Sequence, residues 1–263
     1  MAATRLPPGI GIRRVKRRGT RRKDAGPLEV RLASLLEGAE SAEGTVVIID
    51  VYRAFTTAAV AFLNGVEKIL LVAEVDEALA LKAAGKGDLC VGEVDGKRPD
   101  GFDHNNSPFE LCRARVSGKT LIQSTRAGTV GVCAAIGADR LYGGSLVVAE
   151  ATAKAIRAKR PEVVTLVAMG WAGSARTDED EQCALYLRNL IEGRVPDPEA
   201  VRALVEAGAE SQKFSDPHQP HFHPRDKEIA LRIDAAPFAI SIENEEGIWV
   251  ARKAEPTNQE ESS

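Results

Sequence analysis

Acidic side chains recur in this sequence where apolar runs stop. Asp50 interrupts the end of the β-branched run Thr45–Val51, Glu93 ends Asp88–Glu93, and Glu179-Asp180 sit in the stretch after Val163–Gly170. A carboxylate left unpaired in an apolar setting is costly, so packing alone does not select this arrangement. A divalent cation relieves it. Two or three carboxylates with waters and a phosphate oxygen suit Mg²⁺, which rarely takes an all-protein cage. The pattern therefore assigns Asp50, Glu93 and Asp180 as metal ligands, with Glu179 as the neighbour that completes or replaces one of them.

Anion-binding chemistry recurs at the same places. Ser124-Thr125-Arg126-Ala127-Gly128-Thr129 reads as a strand-to-helix turn. Gly128 permits an unusual backbone angle, and the following helix start offers free N–H groups to an anion. Thr125 and Thr129 add hydroxyls, and Arg126 a bidentate contact. Arg53 with Thr56 and Thr57 follows Asp50 in the same manner, and Ser145 closes a further strand. The bland alternative for each turn is an ordinary helix cap. The loop Gly92–Pro108 is long and dense in Gly, Asp and Asn, and places Asn106 and Ser107 among the candidate substrate contacts; loops of this length are often functional.

The elements that must position these groups alternate. Strands are predicted over Thr45–Val51, Lys68–Ala73, Asp88–Glu93, Thr120–Thr125, Arg140–Ser145 and Val163–Gly170. Helices are predicted over Ala54–Asn64, Asp76–Ala84 with Asp76 as N-cap, Thr129–Ile136, Val147–Ala158 and Thr177–Ile191. Ser107-Pro108-Phe109-Glu110 and Asp197-Pro198 open two more, because Ser or Asp caps and Pro suits the first helical position. Ser211–Pro224 reads as a Pro- and His-rich linker, Lys227–Arg232 as a short helix, and Phe238–Ile242 with Ile248–Arg252 as a hairpin. Such alternation means right-handed crossovers and a three-layer α/β/α fold with a mostly parallel, mixed sheet. Ligands in such sheets bind beyond the carboxyl ends of the strands, here a single edge.

Composition narrows the class further. The chain has 263 residues, 44% hydrophobic and only 5% aromatic, and no uncharged stretch long enough to span a membrane. Residues 1–27 carry nine basic residues against Asp24, leaving 26 basic and 37 acidic residues in the remainder. That arm is expected to be a disordered extension, since no aromatic residue interleaves with the charges to stack on bases; nucleic acid is not an expected partner. Ala254–Ser263 is expected to be a disordered acidic tail. Residues 28–253 would then be one domain. Cys90, Cys112, Cys133 and Cys183 are scattered, without a C-x-x-C pair, and read as reduced thiols of a cytoplasmic protein. His218, His221 and His223 read as a solvated loop, although zinc binding stays open.

Several of these segments together resemble a known family. Asp50-Val51-Tyr52-Arg53-Ala54-Phe55-Thr56-Thr57, Gly92-Glu93, Gly101-Phe102-Asp103, Asn106-Ser107-Pro108, Thr125 with Gly128-Thr129, and Glu179-Asp180 with Cys183-Ala184 resemble the 2-phosphosulfolactate phosphatase family, in order and spacing, from about Thr45 to Arg252. The resemblance implies an α/β/α fold and Mg²⁺-dependent removal of phosphate from 2-phosphosulfolactate in coenzyme M biosynthesis. The chain departs from the family pattern at Tyr52, where Leu is usual, at the bulky Phe55, at Asn105, where Gly is usual, and at Arg126-Ala127, where the family reads Asn.

Three functions follow from this reading. The first is a phosphatase acting on a small anionic phosphorylated substrate. Asp50, Glu93 and Asp180 hold Mg²⁺, and Arg53, Thr125, Arg126 and Thr129 bind phosphate and a second anionic group. Thr56, Asn106, Ser107, Gly128, Ser145 and Glu179 line the same site. The second is covalent catalysis by Asp50, which lacks the acid two residues later because Tyr52 stands there. The third is a non-catalytic anion- or nucleic-acid-binding protein. Homo-oligomerisation is left open.

Overall fold

The computed structural model describes residues 28–255. The basic arm over residues 1–27 and the tail beyond Glu255 lie outside the described residues. Among those described, the strands are β1 (Glu29–Ser34), β2 (Gly44–Ile49), β3 (Lys68–Val72), β4 (Leu89–Gly92), β5 (His104–Asn105), β6 (Thr120–Ser124), β7 (Ala138–Gly144), β8 (Val163–Ala168), β9 (Ala239–Glu245) and β10 (Ile248–Ala254). The helices are α1 (Leu35–Glu40), α2 (Ala54–Leu63), α3 (Val75–Ala83), α4 (Pro108–Leu111), α5 (Gly128–Ala134), α6 (Ala149–Lys159), α7 (Asp178–Ile191), α8 (Pro198–Ala207), α9 (Ala209–Gln212) and α10 (Pro224–Ala230).

All ten strands form one mixed sheet in the order β1-β8-β2-β7-β9-β10-β3-β6-β4-β5. β1, β8, β2 and β7 run parallel to one another, as do β3, β6, β4 and β5. The antiparallel hairpin β9–β10 lies between these blocks and pairs antiparallel with β7 on one side and β3 on the other. The expected hairpin is therefore present, but it sits mid-sheet and makes the two blocks run in opposite senses. The expectation of one carboxyl edge gives way to two.

Those two edges nevertheless meet. Neighbouring strands rotate by roughly 20–25°, and the rotation accumulated from β2 to β6 turns formally opposite strands oblique. Gly128 N–H, at the start of α5 after β6, reaches Asp50 after β2 at 2.9 Å. Apolar packing shows how. One core on the inner face joins β2, β7 and β8 to β3, β4 and β6 through α2 and α5, with Phe55, Phe62, Val132 and Met169 buried in it. A second core packs α6 and α7 on the outer face of the β2 block, and a third packs α3 on the outer face of the β3 block. The bulk of Phe55 is accommodated by Gly143, where a Cβ would lie 2.3 Å from its ring.

The strands stop sooner than their apolar runs. β2, β4 and β6 end at Ile49, Gly92 and Ser124, leaving Asp50, Glu93 and Thr125 just beyond them. β1 escapes sequence reading because it is an edge strand whose side chains are mostly exposed or half-buried and show no clean alternation. α3 starts at Val75 after Glu74, so Asp76 lies inside the helix and not at its cap. Part of the expected linker is helical, since α9 ends at Gln212 and a single 3₁₀ turn follows at Lys213–Ser215. Ala254 ends β10 and does not begin a tail.

Candidate active site

A small cleft opens where the two carboxyl edges converge. Asp50, Tyr52, Arg53, Glu93, Gly96, Asn106, Arg126, Gly170, Trp171 and Phe222 are among its lining residues. Asp50 is fixed from two directions. Its Oδ1 accepts from Ala54 N–H at 2.9 Å and its Oδ2 from Gly128 N–H, so the first turns of α2 and α5 both point at one carboxylate. Gly128 serves by its size and not by an unusual angle. Its φ is not among the positive ones, and a Cβ there would lie 2.7 Å from Ala54 Cβ and 2.9 Å from Asp50 Oδ2.

Glu93 repeats this pattern from the opposite wall. Its Oε1 accepts from Arg126 N–H at 2.8 Å and its Oε2 from Gly96 N–H at 2.7 Å. Each carboxylate oxygen has two acceptor sites, so all four oxygens of the pair retain capacity for a ligand. Burial raises Asp50 from its ordinary 3.8 to about 6; the nearby Glu93 charge adds to the rise, while the two N–H groups and Arg53 oppose it.

Asp180 lies behind this pair. Its Oδ1 accepts from Val51 N–H at 2.7 Å and its Oδ2 from Gly170 N–H at 2.8 Å, tying α7 to the segments after β2 and β8. Burial, with Glu179 and Asp50 nearby, lifts its pKa well above the usual carboxylate range. Burial likewise raises Glu179 from 4.5 to about 7. Neither residue is among those lining the cleft.

A three-carboxylate metal cage does not form. Among the described residues no group of three or more His, Cys, Asp or Glu side chains is placed to hold a metal ion. The residues present do fit a Mg²⁺ bound in its commoner way, through one or two carboxylates with the remaining positions filled by water and substrate oxygens. Asp50 and Glu93 suit that role. Asp180 is better suited to holding the backbone on either side of the site.

The arginines differ. Arg53 is buried, and its Nη1 donates to Asp226 Oδ2 at 3.0 Å and to the His221 carbonyl, while its Nη2 donates to the Gly96 carbonyl. Three of five N–H donors are thus engaged. The Phe222 ring lies 4.8 Å from its guanidinium carbon. Removing one partner of so deeply buried an ion pair costs about 3–5 kcal/mol. Arg126 is half-buried, and its guanidinium has a loose partner, the exposed Glu74 at 3.6 Å.

Other expected contacts resolve into scaffolding. Thr125 and Thr129 brace each other: Thr125 N–H donates to Thr129 Oγ1, Thr129 N–H to Thr125 Oγ1, and Thr129 Oγ1 to the Thr125 carbonyl. Their hydroxyls are spent on bracing the turn that leads from β6 into α5. Thr56 Oγ1 donates to the Val51 carbonyl. Ser145 is fully buried, apart from the cleft lining, and its Oγ has no partner among the described residues. Ser107 caps α4, accepting from Glu110 N–H, and donates to Asp226. Asn106 lines the cleft with its Oδ1 buried and without a partner among the described residues. His223 caps α10 by accepting from Arg225 N–H, and all four cysteines are free.

Residues 32–218 match the family described as 2-phosphosulpholactate phosphatase. The chain belongs to this family. A Bacillus subtilis protein named probable 2-phosphosulfolactate phosphatase is 35% identical over 203 residues, covering 76% of this chain and 87% of its own length. A Cyanothece protein of the same name is 39% identical over 54% of this chain and 60% of its own, and a Clostridium perfringens one 36% identical over 58% and 63%. Membership makes the protein a phosphoric monoester hydrolase. The family match ends at residue 218, whereas Phe222 lines the cleft and Asp226 holds Arg53. Sequence reading missed both. Nothing distinguishes Asp226 from a surface acid in a helix's first turn, and Phe222 falls in a stretch that reads as linker.

Proposed function

We propose that the protein hydrolyses a small acidic phosphate monoester of the 2-phosphosulfolactate type in a Mg²⁺-dependent reaction, giving sulfolactate and phosphate, as a step of coenzyme M biosynthesis. The observation that carries this reading is the facing pair Asp50 and Glu93, which share one small cleft with Arg53 and Arg126. Asp50 and Glu93 would hold the cation through the acceptor sites that their backbone N–H partners leave free. Bound there, Mg²⁺ would polarise the phosphoryl group and offset charge on the leaving oxygen. Arg53 would offer its two remaining N–H donors to the phosphoryl oxygens. Arg126, held loosely at the rim, suits the second anionic group of the substrate. Water would attack phosphorus in line, its proton passing by way of a cleft carboxylate to the ester oxygen as the P–O bond breaks, so that the hydroxy acid and inorganic phosphate leave.

Covalent catalysis by Asp50 gains no support. The residue two positions later, where that mechanism needs an acid, is Tyr52, whose hydroxyl meets Ser211 Oγ at 3.0 Å. The test is a panel of phosphorylated 2-hydroxy acids carrying sulfonate, carboxylate or no second anion, assayed for phosphate release with Mg²⁺ and with chelator. The sulfonate and carboxylate esters should turn over with Mg²⁺ alone. Equal turnover of neutral esters, or activity in chelator, contradicts the reading.

A further inference from the structure

We propose that Asp226 is a positioning residue of this active site: its single carboxylate fixes both the Arg53 guanidinium and the Asn106–Phe109 turn, so that two cleft-lining groups keep one geometry. This rests on the phosphatase reading in one respect, that Arg53 and Asn106 face the substrate.

Asp226 lies in α10, beyond the residues matched to the family, and is fully buried. Its oxygens are divided between two neighbours. Oδ2 accepts from Arg53 Nη1 at 3.0 Å. Oδ1 accepts from Ser107 Oγ at 2.6 Å and from Phe109 N–H at 3.0 Å. On the first side, the His221 and Gly96 carbonyls and the Phe222 ring complete a socket that leaves the guanidinium little freedom. On the second side, the tether at Ser107 and Phe109 sets where the preceding residue, Asn106, presents its amide.

That amide is the independent sign of a ligand. Asn106 is 3% exposed and lines the cleft, and its Oδ1 has no partner among the described residues. Buried acceptors are nearly always satisfied, and leaving one open is expensive. A hydroxyl, an N–H or a cation brought by the ligand satisfies it. Because Asp226 holds the segment carrying this acceptor and also the adjacent Arg53, a shift of its carboxylate displaces a donor and an acceptor of the site together. A purely structural ion pair would lower stability without this joint effect on binding.

Calorimetric titration with inorganic phosphate in the presence of Mg²⁺, with KM and kcat on the best ester of the panel, tests the role in the full chain. Asp226→Asn keeps the shape and removes the charge. It should weaken phosphate binding and raise KM by about tenfold to a hundredfold, with a smaller fall in kcat. Combined with Arg53→Ala, it should add less than about threefold, because the two changes act through one contact. Ser107→Ala cuts one bond on the turn side and should raise KM a few-fold. Phosphate affinity and KM within about twofold of wild type in a folded Asp226→Asn variant, or losses that multiply with those of Arg53→Ala, overturn the proposal. If Asp226→Asn does not fold, an unchanged KM in Ser107→Ala overturns it alone. A wild-type protein that neither binds phosphate nor hydrolyses any ester sinks the phosphatase reading itself, which is distinct from equal binding by wild type and variant.

Discussion

The wall of the cleft built on β2 and β8 differs from the wall built on β4 and β6 in how much water reaches it. On the first, Asp50 and Asp180 are buried and every carboxylate oxygen is tied to a backbone N–H. On the second, Glu93 carries the same two backbone bonds but is half-buried, and Arg126 beside it is loosely paired. The same local hydrogen bonding therefore sits at two different depths. Burial holds the pKa of Asp50 and of Asp180 above its ordinary value, a charge arrangement that a cation would relieve. The wetter wall can adapt to the shape of a substrate. In the proposed reaction, one wall would fix the reacting centre and the other would select what reaches it.

The sharpest way to break this contrast is at Asp50. Asp50→Asn leaves the volume but turns one amide N–H against Ala54 or Gly128 N–H and removes the charge. Steady-state rates should fall roughly 10²–10³-fold. In the wild type, kcat/KM should rise with pH through about 6 as Asp50 ionises, and bound Mg²⁺ should move that rise to lower pH. A rate indifferent to Asp50 would leave the buried wall without a chemical role.

The next effect is on stability. A carboxylate whose pKa is raised on folding holds its proton more tightly folded than unfolded. Its favourable contribution is complete below the unfolded value of 4.5 and is lost as pH rises through about 7, the folded value for Glu179. Glu179→Gln removes this loss. Denaturant unfolding should show the variant gaining about 2–3 kcal/mol on wild type between pH 4 and pH 8 without metal. No pH-dependent gain would mean that water reaches this wall after all.

The smallest effect belongs to the wetter wall. Arg126→Ala should raise KM by about tenfold for esters with a second anion, with little change in kcat, and should leave esters lacking that anion nearly unaffected. An equal loss on both kinds of ester would move Arg126 from selection to the reaction itself.

Sequence alone makes the two walls legible as an alternation of strand and helix with acids at the strand ends. Asp50 and Glu93 are visible because an acid after a β-branched run has few structural uses. The meeting of opposed edges is not visible, since it depends on β9–β10 entering mid-sheet, and a hairpin at the end of a chain reads equally well as an edge. Thr125 and Thr129 show the limit of spacing arguments, because four residues apart suits a hydroxyl pair bracing itself as well as one holding an anion. Asp226 shows a different limit. Its burial arises from α10 docking against the Arg53 and Ser107 segments, a tertiary contact without a local signature.

The central claim is that phosphate is released at Asp50 and Glu93 with the help of a divalent cation. It is tested most directly by titrating Mg²⁺ into the chelated protein with 2-phosphosulfolactate, wild type beside Glu93→Gln, and following inorganic phosphate. No release is expected before Mg²⁺ is added, then saturable activation of the wild type and a higher Mg²⁺ requirement in the variant. Release that persists in chelator, or a Mg²⁺ requirement unchanged by Glu93→Gln, would contradict it.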